Sequence, residues 1–111
     1  MKQQEYLITF EGISVAEANR YANELRNALL DATPDIEVRQ KRSDDRTQDF
    51  GATLVLILGA PAVVVVAKAL GDWLKLRNSA KITIKKDGQV VAENLTSNDA
   101  LKLAELLHPQ Q

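Results

Sequence analysis

The chain has 111 residues, 14 basic and 15 acidic side chains, a formal charge of −1 and no cysteine. That length suits one domain able to bury its own core. The composition excludes disulfides and thiolate chemistry, and it creates no global field to draw nucleic acid or anionic lipid.

The opening MKQQEYLITF has no basic stretch leading into an apolar one, so no signal peptide is expected. Tyr6, Ile8 and Phe10 alternate with Leu7 and Thr9, the period of a half-buried strand. Gly12 interrupts it. Ser14 to Glu17 form a capping box, in which the Ser14 hydroxyl accepts an early helical N–H and Glu17 reaches back. Ala18, Tyr21, Ala22, Leu25 and Leu29 then recur at helical spacing, with Asn19, Arg20, Asn23 and Arg26 on other faces. Pro34 ends this helix and pushes Thr33 to extended geometry. Ile36 and Val38 alternate with Glu37, Arg39 and Lys41, which reads as a second strand. Strand, helix and strand together suit a split βαβ unit.

Residues 41 to 49, KRSDDRTQD, read as a solvated loop, because aspartates interleave with the basic groups. The stretch from Ala52 to Leu70, ATLVLILGAPAVVVVAKAL, carries one charge, Lys68. Such a run must hide in the domain's own core, in a partner or in a bilayer, and each destination implies a different function. Proline is poor inside a helix and good in its first turn. The Gly59-Ala60-Pro61 break therefore predicts a helix over Pro61 to Arg77, preceded by a separate or kinked helical piece near Asp49 to Leu58. A short apolar run is ambiguous by period, so Thr53 to Leu58 also fits a buried strand. Lys68, Asp72 and Lys75 share one helix face, and Lys68 and Asp72 are spaced to pair. The earlier half of the helix is apolar all round.

Ile82 and Ile84 alternate with Lys81, Thr83 and Lys85. Asp87-Gly88 before Val90-Val91 is a hairpin signal, because both central turn positions want positive φ. Thr96 to Asp99 are capping types for a last helix lined by Ala100, Leu103, Ala104 and Leu107 and stopped by Pro109. Chemistry-bearing residues are sparse. His108 is the only histidine, so a metal site or a Cys–His nucleophile has no constituents. Ser14, Ser79 and Ser97 fall at expected caps or turns. Asp44, Asp45 and Asp49 lack the glycine and spaced oxygens of a calcium loop. Aromatics for stacking bases are scarce, which argues against an RNA-binding sheet.

Three stretches carry a family resemblance: Gly51 to Ala69, the run Asp72-Trp73-Leu74-Lys75-Leu76-Arg77, and Lys81 to Val91 with its Asp-Gly turn. In this order, after an N-terminal strand and helix, they resemble the effector-associated constant component family of bacteria. The resemblance covers most of the chain. It implies a small, non-enzymatic partner in bacterial conflict systems, encoded beside varying effectors such as trypsin-like or caspase-like proteases. It brings no catalytic residues with it.

The expectation is one α+β domain over residues 1–108, with a short tail at 109–111. It comprises a βαβ unit, a long apolar kinked helical segment, a β-hairpin and a C-terminal helix, with a ferredoxin-like type of sheet and the helices on one face. The expected function is that of an adaptor or regulatory component in defence or signalling. It needs no cofactor and no metal, acts in the cytoplasm, and forms a homo-oligomer or docks an effector such as a protease. Val63, Val64, Val66, Ala67 and Trp73 are the candidate interaction residues. The alternative is a membrane-acting component whose segment 52–70 inserts into a bilayer, which would make the protein membrane-associated. Nucleic acid is not an expected partner.

Overall fold

The computed structural model describes residues 3–41, 53–77 and 80–102. The 42–49 loop with its aspartates, Ser79, the helix face Leu103, Ala104 and Leu107, His108 and the tail 109–111 lie outside the described residues. Within them the order is β1 (Gln4–Phe10), α1 (Val15–Ala32), β2 (Glu37–Lys41), β3 (Thr53–Leu58), α2 (Ala60–Leu76), β4 (Ile82–Lys86) and β5 (Gln89–Leu95), then a 3-10 helix at Ser97–Lys102. The five strands form one antiparallel sheet in the order β2-β3-β1-β4-β5. The fold is α+β.

Because β1 and β2 both run antiparallel to β3, they are parallel to each other with β3 between them. Likewise β3 and β4 are parallel, with β1 between them. The connections β1-α1-β2 and β3-α2-β4 are thus two interlocked split βαβ units. Both helices pack on the sheet face formed by Tyr6, Ile8 and Phe10 of β1, Leu54, Leu56 and Leu58 of β3, and Ile82 and Ile84 of β4. Ile8, Leu25, Leu29, Leu54, Leu70, Leu74 and Ile82 have no exposed surface at all. Of the expected core, Tyr6, Ile8, Phe10, Leu25, Leu29, Ile36, Ile82 and Ile84 pack together, with Val38 partly buried against them.

Local signals explain most boundaries. The Ser14 hydroxyl accepts the Glu17 N–H at 3.1 Å, opening α1. At the other end Thr33 N–H donates to Leu29 O at 2.9 Å, and Pro34 follows. Asp87 and Gly88 have φ of 51° and 86°, the two positive values that a tight two-residue hairpin turn demands. At the 3-10 helix, the Asp99 carboxylate accepts the Thr96 N–H at 3.0 Å.

One element differs from expectation. Thr53–Leu58 is strand β3, so the apolar run is a strand followed by a helix and contains no kinked helix. The physical reason is pairing. β3 fills the slot between β1 and β2 and satisfies the backbone polar groups of both, which a turn and a half of helix there would leave unpaired. The Gly59-Ala60-Pro61 break is the corner between the two elements.

β5 is irregular. It carries extra residues relative to β4 at two places, and Asn94 sits there in the left-handed region with φ 55°.

Candidate functional site

α2 begins at Gly59, whose backbone caps the helix without a side-chain hydrogen bond, and Pro61 occupies the first turn. The inner face of α2 carries Val63, Val66, Ala67, Leu70, Trp73 and Leu74, all buried. Its outer face carries Pro61, Val64, Val65, Lys68, Asp72, Lys75 and Leu76, all exposed. Three of these are large apolar side chains: Val64 at 53%, Val65 at 41% and Leu76 at 79% exposure. Lys68 Nζ donates to Asp72 Oδ2 at 3.1 Å between them, the expected pair. That contact is solvated and contributes a few tenths of a kcal/mol, about the usual value for such a pair.

The five candidate interaction residues therefore separate. Val64 is exposed. Val63, Val66, Ala67 and Trp73 are core residues, each 5% exposed or less. They face the sheet because α2 needs a full apolar stripe to cover β1, β3 and β4. Trp73 packs edge-on against Tyr21 and Phe10, at centroid distances of 5.5 and 5.9 Å, and joins α2 to α1. Its indole N–H is buried without an acceptor among the described residues. Arg77, just past α2, reinforces the same junction: its Nη2 lies 2.8 Å from Glu24 Oε1, at ion-pair distance but without hydrogen-bond alignment.

Val65 and Leu76 are outer-face residues that the sequence reading missed. The signal for them was present. Lys68, Asp72 and Lys75 mark the solvent arc of α2, and Pro61, Val65 and Leu76 fall within that arc at helical spacing.

The titratable groups of the outer face are Lys68, Asp72 and Lys75. Among the described residues no group of three or more His, Cys, Asp or Glu side chains is placed to hold a metal. The void between α2 and the sheet, lined by Tyr6, Val63, Leu70 and other apolar side chains, measures about 10 Å³. That is room for one water at most, and its walls are apolar. A shallow groove runs between the helices, with Ala28 and Ala32 of α1 facing Ala69 and Leu76 of α2. No described helix is long and apolar enough to cross a membrane. Comparison with protein-family models, with curated proteins and with solved structures gave no match.

Proposed function

We propose that this chain is a non-enzymatic adaptor or regulatory component of a bacterial conflict or defence system. In this reading it acts in the cytoplasm by presenting the outer face of α2 to another protein, either a second copy or an effector such as a protease. The observation that carries the reading is the placement of Val64, Val65 and Leu76, three large apolar side chains exposed on one helix whose other large side chains of that kind are core. Exposed large apolar side chains gathered on one helix face give that face an apolar contact surface for another protein. The defence context comes from the resemblance of Gly51 to Ala69, Asp72 to Arg77 and Lys81 to Val91 to the effector-associated constant component family.

Membrane insertion of residues 52–70 is the second reading. It would have to withdraw β3 from the middle of the sheet and strip Leu54, Leu56, Val63 and Val66 from the core. No observation favours that rearrangement.

The test is co-expression with an effector encoded beside this chain, in the first instance a trypsin-like or caspase-like protease, followed by affinity purification through a tag on this chain. The parent should retain the protease, and the double variant Val64→Asp, Val65→Asp should lose it while keeping the parent's circular dichroism spectrum and melting temperature. Equal retention by parent and folded variant would overturn the α2 reading.

A further inference from the structure

The outer face of α2 is self-complementary, and we propose that its partner is a second copy of this chain, packed antiparallel across a two-fold axis near Leu70. This inference rests on the reading of α2 as the interaction surface and names what occupies it.

The argument starts from the order of residues along the helix. At 3.6 residues per turn, Lys68, Asp72 and Lys75 lie at the middle of the exposed arc, while Val65 and Leu76 share one flank and Val64 lies on the other. A two-fold axis perpendicular to the helix brings residues of the same flank together. With the axis level with Leu70, Lys68 of one copy meets Asp72 of the other, and Asp72 meets Lys68. The same register places Val65 against Leu76, and Leu76 against Val65. So one register pairs the Lys68 and Asp72 charges and the Val65 and Leu76 side chains, and leaves the long Lys75 side chain to reach solvent past the partner's Val65. The Lys68–Asp72 pair within each copy, at 3.1 Å, would join its twin in a ring of four alternating charges. A parallel arrangement offers neither match, because it sets Lys68 against Lys68 and Asp72 against Asp72. The inner residues of α2 are committed to the core and its sides pack against α1 and the 3-10 helix, so its exposed residues are the ones that could meet a second copy.

One helix pair is a small interface, in the class of weak or transient association below about 1,200 Å². The dimer should therefore form as concentration rises, with a dissociation constant in the micromolar to millimolar range, about 10 μM to 1 mM.

Charge exchange tests it. Lys68→Asp sets two aspartates against two, and Asp72→Lys sets two lysines against two. Each variant alone should weaken self-association about tenfold or more in sedimentation equilibrium. Mixing the two should restore association as a heterodimer, because each acidic face then meets a basic one. The register has its own test, made simple by the absence of cysteine. Val65 and Leu76 lie about 16 Å apart along one helix, too far for a disulfide. A mixture of Val65→Cys and Leu76→Cys proteins should form a disulfide-linked heterodimer under mild oxidation, and neither alone should. Three results would overturn the inference: a parent monomeric at about 1 mM, single charge variants that associate like the parent, or Val65→Cys cross-linking to itself. If the parent is monomeric yet Val64→Asp, Val65→Asp still abolishes protease retention, this inference fails and the adaptor reading stands. If the dimer forms as described and the co-expressed effector binds parent and variant alike, the effector arm fails instead.

Discussion

α1 and α2 hold matching places in the two βαβ halves, and both press an apolar stripe onto the same sheet face. Their outer faces differ. After Val15 in its first turn, α1 shows solvent Glu17, Arg20, Asn23, Asn27 and Asp31, whereas α2 shows Pro61, Val64, Val65 and Leu76 around the Lys68–Asp72 pair and Lys75. The architecture specifies only the inner stripe of each helix. What stands outside is free of the fold's demands, so an outer face that departs from its counterpart carries information about use.

The largest effects should come from the inner stripes. Leu25→Ala in α1 and Leu70→Ala in α2 remove fully enclosed side chains, and each should cost about 2–5 kcal/mol in urea denaturation. Val64→Ala on the outer face should stay within about 0.5 kcal/mol. A comparable loss at Val64 would break the comparison by making that face structural.

The next effect concerns what lies outside both halves. β5 is joined to β4 through Asp87-Gly88, and Gly88 has φ 86°. Gly88→Val should cost about 1–2 kcal/mol, because a β-branched residue resists left-handed backbone. Loss of hydrogen-exchange protection confined to β5 and its ladder with β4 would show β5 to be an addition to an otherwise complete pair of halves. Loss spread over β1 and β3 would show that it is integral.

The helix starts sharpen the comparison at smaller scale. α1 is capped by the Ser14 hydroxyl, and α2 by the backbone of Gly59 alone. Ser14→Ala should lower stability by about 1 kcal/mol. A side chain at Gly59 would meet only Pro61 Cδ at 3.7 Å, an ordinary contact, so Gly59→Ser should raise stability by a few tenths of a kcal/mol, roughly the gain of serine over glycine at such a cap. Thermal melting of the two variants reads both signs.

The smallest effect appears only in alkali. Burial, with the Asp87 carboxylate as a lesser cause, raises the Tyr6 phenol above its ordinary value. The folded state then holds that proton longer than the unfolded chain. Its contribution is complete below about pH 10 and is lost as pH rises from there through the folded value. Tyr6→Phe should flatten that part of the stability profile relative to the parent.

The sequence made β1, α1, β2 and the hairpin legible because each announces itself locally: alternation about Ile8, the Ser14 cap, Pro34, and the Asp87-Gly88 turn. β3 was ambiguous because it is apolar on both faces. Leu54 and Val55, neighbours pointing to opposite sides, are both 5% exposed or less, so no alternation remained to be read. The candidate site was half legible for a related reason. A helix apolar all round through its first half does not say which arc meets the sheet, so Val63, Val66 and Ala67 could not be told from Val64 and Val65 by hydropathy. Only the charges further along, at Lys68, Asp72 and Lys75, fix the rotation.

The position of β3 between β1 and β2 has a consequence for synthesis. As the chain leaves the ribosome, β1, α1 and β2 emerge first, yet β1 has no strand partner among them: its neighbours are β3 and β4. The first forty residues can form a helix but no sheet. Every ladder waits for the stretch from Thr53 to Leu58, and contacts that must wait are slow to form and leave apolar surface open meanwhile. The most apolar strand is thus also the one that starts the sheet, which confines its own exposure to the interval between its release and its insertion between two strands already waiting for it.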